Sequence, residues 1–499
     1  MPAGGVRRER MKHLKALWAK IYSNRKLRCG GFSVALTAGV IVLVVLLSAL
    51  FDGLESRFAL QLDCSFNGAT TQGEITRSAL RQLEKDVRIY AVVPASGGDE
   101  DLLSLLNRYD AASSRVTVTT ENLLKNPVLQ SQFTDAAGAR SVSDDCLIVH
   151  CAETGLTRIL NESDYVYRSY NMETGFFDQT LISYEKAVTE AILYVTQESV
   201  PCIQILSGHR ERSIDETVLM EQNLVDSNYQ VTRVNLAAGD TLNPDDPLMI
   251  LSPKYDLTDE ELSQLVEFAK AGGDFFITSD FDDPLNLDNY NAFLRSYGVE
   301  AYPGLVVAKE EDTDSYYADY PVILMPYMQN TDVTRTLVSA GETILLITEA
   351  RAFRLTDLQP DGVMAYPLLV SGNAYLRDTA DGDDTVEKQP GDVEGAFAVS
   401  VWSDKLYENG AVSHMFVVGD SSVFMDYWMQ LNTSSTAFLL QMIHSLQEKE
   451  PVSLDILPKP AQRESLSLGN ITPAVIVTVM LPLLVLLGAL LVLIPRKNL

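Results

Sequence analysis

Three short polar runs carry the residue types from which a site can be built. Gly208-His209-Arg210-Glu211 follows the apolar run 203–206, Ser279-Asp280-Phe281-Asp282-Asp283 follows 274–278, and Gly419-Asp420-Ser421-Ser422 follows 414–418. If each apolar run is a strand, all three lie at carboxyl ends, where open α/β sheets collect their ligands. Gly208, His209, Glu211, Asp280 and Asp420 are therefore the candidate residues of a ligand or partner crevice. Asp280, Asp282 and Asp283 joined by His209 would offer a cation the carboxylates that a hard ion needs. Simpler roles compete at each position. Glu211 can cap free backbone N–H groups in a strand-to-helix turn, the three aspartates can form a solvated acidic loop, and Asp420 can cap a helix. The simpler roles are the expectation, with no metal, cofactor or catalytic residue assigned.

Other chemistries lack their parts. A hydrolase or glutamine amidotransferase needs a nucleophile on a sharp elbow such as G-x-S-x-G, with a histidine in reach. Neither that elbow nor its cysteine counterpart occurs, and the chain has five histidines: His13, His150, His209, His414 and His444. A phosphate-binding G-x-x-x-x-G-K-[ST] loop is missing too, so this chain is not expected to power transport, or to be an enzyme. Asp381, Asp383 and Asp384 imitate the start of a calcium loop but lack its glycine and glutamate at the required offsets. The five cysteines (Cys29, Cys64, Cys146, Cys151, Cys202) form no C-x-x-C. Cys146 and Cys151 bracket an apolar strand and read as small buried residues, while a Cys64–Cys202 disulfide stays open.

The elements around these runs read as two α/β units. In the first, residues 63–199, a helix at 78–85, a strand at 87–93, a helix at 101–110, a strand at 116–120 and a helix at 182–195 alternate. The order resembles a thioredoxin-like arrangement without redox cysteines, and so a scaffold. Pro201 restarts the chain, and residues 200–447 form the second unit. Strands at 203–206, 230–236, 248–251 and 274–278 alternate with helices at 213–226 and 258–271. The expectation is a doubly wound, Rossmann-like or amidotransferase-like sheet. Thr258, followed by Asp259, Glu260 and Glu261, is a strong helix start. Beyond 300, strand-like runs at 305–308, 342–347, 396–401 and 414–418 surround an acidic loop at 377–392, and a helix follows at 436–446. Pro451, Pro458 and Pro460 mark residues 448–470 as a stiff tether.

Charge and hydropathy place these units. Residues 1–29 are a basic tail with nine Lys or Arg against Glu9, whereas residues 52–470 hold 66 acidic against 28 basic side chains. So acidic a domain repels phosphates, which excludes nucleic acid as a partner. Residues 30–51 and 471–494 are each long and apolar enough to span a bilayer as a transmembrane helix. The first is longer than a signal-peptide core and has no A-x-A-like site behind it, so an uncleaved anchor is expected. Basic residues on the terminal side of both spans put both termini, 1–29 and 495–499, in the cytoplasm and residues 52–470 outside.

Three runs carry a family resemblance: ILSGHRERSIDETVLMEQNLVDSNYQVTRVNLA, then DPLMILSPKYDLTDEELSQLVEFAKAGGDFFITSD, then VVGDSSVFMDYWMQLNTSSTAFLLQMIHSL before the last apolar segment. From about residue 63 to 499 the chain resembles the GldG-type ABC-transporter auxiliary family, associated with gliding motility and bacterial envelope export. The family's usual first turn is G-H-G-E, and Arg210 departs from it at the third place. The resemblance implies a non-catalytic membrane subunit whose partners are a separate ABC ATPase and permease, with envelope cargo met outside. The alternative is a free-standing membrane-anchored receptor for a solute or glycan.

Overall fold

Residues 87–92 (VRIYAV) alternate around the backbone so that Val87, Ile89 and Ala91 are buried while Arg88 is exposed, the signature of a strand with one covered face. The computed structural model describes residues 70–461 except 136–139, 172–175, 357–358, 379–385, 433, 448 and 450, together with Val42 and Gly68. Two compact units divide the chain: residues 73–99 with 115–461, and residues 1–72 with 100–114 and 462–499. Of the second unit the structure describes chiefly the helix Glu100–Ala112, on which Leu102, Leu105, Leu106 and Tyr109 recur at helical spacing and are buried.

The larger unit is mixed α/β. Strands β1 (Val87–Val92), β2 (Val116–Glu121), β3 (Leu147–Cys151) and β4 (Thr157–Leu160) form a sheet in the order β2-β1-β3-β4. There β1 and β2 are parallel, and β3 is antiparallel to both β1 and β4. Cys146 and Cys151 at the ends of β3 are fully buried. Strands β5 (Val166–Asn171) and β6 (Phe176–Ile182) follow as an antiparallel pair, then the helix Tyr184–Thr196.

After Pro201 come β7 (Cys202–Leu206), β8 (Gln230–Val234), β9 (Leu248–Leu251) and β10 (Phe275–Thr278). The shorter strands that follow are β11 (Val299–Ala301), β12 (Leu305–Ala308), β13 (Tyr316–Tyr317), β14 (Tyr320–Leu324), β15 (Tyr327–Met328), β16 (Ile347–Thr348) and β17 (Phe353–Leu355). The last are β18 (Val363–Val370), β19 (Ala374–Arg377), β20 (Val393–Gly395), β21 (Ala398–Leu406), β22 (Val412–Val418) and β23 (Lys459–Pro460). The main sheet runs β11-β17-β21-β22-β10-β9-β7-β8, with β18 also on β21 and β15 on β18. From β8 through β7, β9 and β10 to β22 every pairing is parallel. Beyond β22 the pairings are antiparallel.

Both faces of the parallel part are covered. Ile203, Ile205, Met249 and Phe276 share one buried cluster with Met220, Leu224, Phe438 and Met442, from helices Val218–Asp226 and Ser434–Leu446. Their neighbours Leu248, Ile250, Phe275 and Ile277 point the other way, into a cluster with Leu265, Phe268, Phe293 and Leu294 from helices Asp259–Lys270 and Asp288–Arg295. Strands buried on both faces read as unbroken apolar runs, which is why β7, β9, β10 and β22 were plain in the sequence.

Two readings need correction. Residues 342–346 are irregular, and only Ile347–Thr348 pairs as a strand, because Gly341, at φ +79, ends the helix Arg335–Ala340 and the chain needs those residues to return to the sheet. The proline-containing run does not stand clear of the unit. Its Val452 carbonyl accepts from Asn228, its Leu454 N–H donates to Glu190 at 2.7 Å, and β23 pairs with β6. No helix among the described residues is long and apolar enough to cross a membrane. The apolar runs 30–51, apart from Val42, and 471–494, the terminal residues 1–29 and 495–499, Cys64 and Asp381, Asp383 and Asp384 lie outside the described residues.

Candidate functional site

Chain order reverses between β7 and β9, and the loops leaving β7, β9, β10 and β22 open at one edge of the sheet. Such a reversal leaves a crevice that the first helix on either side does not fill. The turn after β7 makes two left-handed steps, Gly208 at φ +125 and Arg210 at φ +58. The second is a conformation that favours glycine, and it falls on the position where the G-H-G-E pattern has one. Arg210 projects over the ring of Tyr255, 5.6 Å from its centroid.

Glu211 closes this turn. Its Oε2 accepts from the N–H groups of Gly208 and His209 at 3.1 and 2.9 Å, and its Oε1 meets His209 Nδ1 at 3.3 Å. The other ring nitrogen, Nε2, lies 3.2 Å from Glu261 Oε2. Glu261 is fixed in turn by a capping box, in which the Thr258 N–H donates to its carboxylate and Thr258 Oγ1 accepts from its N–H. His209 is buried, and the Glu211 bond raises its pKa above the ordinary histidine value against the opposing effect of burial, with Glu261 adding to the rise. Both ring nitrogens are thus engaged by carboxylates, and His209 does not join the aspartates.

The aspartates form a second cluster. Asp280 accepts from the Ser421 N–H at 2.6 Å, from Ser421 Oγ at 2.8 Å and from Arg212 Nη2 at 2.6 Å. Asp283 accepts from Ser252 Oγ at 2.8 and 2.7 Å and from Lys254 Nζ at 2.6 Å, while Lys254 also reaches Asp282 at 3.0 Å. Arg351, itself buried, donates to the carbonyls of Phe281 and Asp283 at 3.0 and 2.8 Å. Only Asp282 is exposed, so the run is a buried ionic staple where a solvated loop was expected. Burial pushes Asp280 up but the Arg212 charge and the Ser421 bonds outweigh it, leaving it low; burial and then the Asp280 charge push Asp283 up. One oxygen from each aspartate lies within 4.8 Å of the others, a spacing that suits a cation. The Arg212 guanidinium and the Lys254 ammonium already neutralise those oxygens.

Asp420 follows Gly419, where an added Cβ would fall 2.0 Å from the Arg351 carbonyl oxygen, so β22 and residue 351 touch backbone to backbone. Asp420 accepts from the Ser422 N–H at 2.7 Å, but the cap position of the 3-10 turn Ser422–Phe424 is held by Ser421 with no side-chain cap bond, so Asp420 does not take the helix-capping role expected of it. It also accepts from Thr348 N and Oγ1 at 2.7 and 3.1 Å and so holds β16. Burial, and then the charge of Asp280, raises its pKa to about 7.

The structure therefore brings Gly208, His209 and Glu211 together with Glu261, and Asp280 together with Asp282, Asp283 and Ser421, while Asp420 turns to Thr348. The partners that sequence reasoning missed are Arg212, Ser252, Lys254, Glu261, Thr348 and Arg351. Arg212 sits next to Glu211, and adjacency was the one signal that would have found it. Away from the strand ends, a cleft of about 530 Å³ is lined by Arg158, Asp164, Glu190, Asp226, His444 and Val452, among others.

No protein-family profile matches the chain, and no curated protein matches it. Among solved structures, one described as the mmIFT52 N-terminal domain aligns with 50% of this chain and 100% of its own, at 15% identity and a TM-score of 0.37.

Proposed function

We propose that this chain is a non-catalytic auxiliary membrane subunit of an ABC-type transport complex, as its resemblance to the GldG-type family suggests. Its acidic domain would be held outside the cell membrane by spans at 30–51 and 471–494, with both termini cytoplasmic. The first sheet is then a thioredoxin-like scaffold, a reading supported by its order β2-β1-β3-β4 with one parallel pair. The second is a doubly wound sheet, a reading supported by five parallel strands with helices on both faces.

The observation that carries the proposal is where the larger unit begins and ends. Glu185, on the helix Tyr184–Thr196, binds both places: one oxygen accepts from the Gly73 N–H and from Thr76 Oγ1, the other from Lys459 Nζ at 2.8 Å. Ala461 N–H adds a bond to the Thr180 carbonyl at 2.8 Å. The chain thus enters the unit near residue 73 and leaves it near residue 461 at one spot, which suits a domain hung from two spans in one bilayer.

Separate subunits would supply the ATPase and the permease, and the outer domain would meet cargo or transmit a change of state. The polar cleft beside the proline-containing run favours the second reading, a free-standing receptor for a solute or glycan. Extraction of the tagged protein from its host in mild detergent separates the two. Near-stoichiometric recovery of an ATPase and a polytopic permease is the outcome expected of the auxiliary subunit, and recovery of the chain alone would favour the receptor.

A further inference from the structure

Asp420 is a buried carboxylate that no cation reaches. It is 4% exposed, and among the described residues no Lys, Arg or His pairs with it within 4 Å, whereas Asp280 has Arg212 and Asp283 has Lys254. Its charged neighbour is Asp280, because consecutive residues of one turn hold the two carboxylates. The Ser421 N–H donates to Asp280 at 2.6 Å and the Ser422 N–H to Asp420 at 2.7 Å. The cations nearby are engaged elsewhere: Arg212 by Asp280, Lys254 by Asp282 and Asp283, and Arg351 by the Ser279 hydroxyl and the carbonyls of Phe281 and Asp283. Glu349, next to Thr348 and exposed, adds only negative charge. When two carboxylates share a site and one of them has the cation, a proton is favoured on the other.

The bonds around Asp420 accommodate that proton. Its Oδ2 accepts from the Thr348 N–H at 2.7 Å and also meets Thr348 Oγ1 at 3.1 Å and Ser422 Oγ at 2.7 Å, and the two hydroxyls bond each other. A hydroxyl can donate to a carboxylate or accept from a protonated carboxyl, so Asp420 keeps its partners in either state. What ionisation adds is a second buried charge beside Asp280, away from water. The structure that hangs from this residue is slight. β16 has two residues, pairs with β14 at Ile323–Thr348 and Leu324–Ile347, and through β14 carries β13.

We propose that Asp420 is a proton-operated latch: protonated, it fixes β16, and with it the small sheet β13-β14-β16, to the end of β22, and on losing its proton it loosens that sheet. The sign follows from the raised pKa of Asp420, about 7 in the fold. The latch is complete below the unfolded carboxyl value of about 3.9 and is lost as the pH rises through the folded value. The small sheet thereby reports the acidity of the compartment the domain faces. This goes beyond both readings of the chain's function and holds for either.

The test is amide hydrogen exchange of the full-length protein in detergent micelles at pH 6 and pH 8, corrected for the intrinsic pH dependence of exchange. A carboxyl near 7 in the fold and near 3.9 once opened makes opening about tenfold more frequent at the higher pH. Residues 316–324 and 347–348 should show that loss of protection, and β7, β9 and β10 should not. Asp420→Asn has nothing to titrate at this position, so its protection, at whatever level, should be the same at both pH values. An infrared titration of the wild type needs no variant, and a protonated-carboxyl band present at pH 6 and lost by pH 8 is expected. Equal protection of the wild-type β14 and β16 at the two pH values would overturn the proposal. So would the lack of a protonated-carboxyl band at pH 6, and so would a pH effect undiminished in Asp420→Asn, which would assign the proton to another group such as Asp283 or Glu349.

Discussion

His209 stands between Glu211 and Glu261, whose side chains are 5% and 4% exposed, and neither carboxylate has another cation beside it among the described residues. Replacing the ring with a neutral side chain leaves two buried charges to be neutralised by nothing but N–H groups and a hydroxyl. His209→Gln should therefore cost about 3 kcal/mol of stability where the histidine is charged. Its folded pKa lies above the unfolded value of about 6.5, so its contribution is complete below that pH and is lost as the pH rises through the folded value. The melting-temperature gap between wild type and His209→Gln should be widest just below about pH 6.5 and close as the solution becomes alkaline. A gap of constant size across that range would show that the ring is neutral in the fold. Glu185 behaves in the opposite sense. Burial raises its pKa, yet Lys459, the Gly73 N–H and Thr76 together bring it below the ordinary glutamate value. Its contribution is present above the unfolded carboxylate pKa and is lost as the pH falls through the lowered value. Glu185→Gln should thus match the wild type's melting temperature only in acid, where the native carboxyl is protonated as well.

At the scale of elements, short strands depend on single side chains. β16 has two residues, and Asp420 supplies two of the bonds that hold Thr348. Asp420→Ala should speed amide exchange across β13, β14 and β16 while leaving β7, β9 and β10 protected; equal exchange in both groups would mean that Asp420 supports the whole sheet. Lys459→Ala should do the same for residues 451–461 alone. The elements differ in how far they could be read ahead. The helix at 259–270 was plain because its cap and its apolar spacing are local, and β7, β9, β10 and β22 were plain because a strand covered on both faces is apolar throughout. The crevice was legible only in part. His209, Asp280 and Asp420 follow apolar runs, whereas the groups they meet, Glu261 on a helix, Arg212 in another loop and Thr348 on β16, are joined to them by pairings that no local pattern records. The hairpin at 316–324 was invisible for a related reason: its turn is Ala318-Asp319, with none of the glycine or asparagine that marks such turns.

At the scale of the whole molecule, the two spans proposed at 30–51 and 471–494 would set the acidic domain and the basic tail at 1–29 on opposite sides of one membrane, the arrangement expected from the clustering of charge along the chain. The most direct test is the sidedness of both ends and the middle. Single-cysteine variants Lys20→Cys, Tyr255→Cys and Lys497→Cys, made with the native cysteines replaced by serine, would be treated in intact cells with a membrane-impermeant maleimide. Tyr255 is exposed on the domain and should label at once, while the two terminal positions should label only after the membrane is permeabilised. Labelling of either terminus in intact cells, or protection of position 255, would contradict the two-span arrangement on which the proposed function depends.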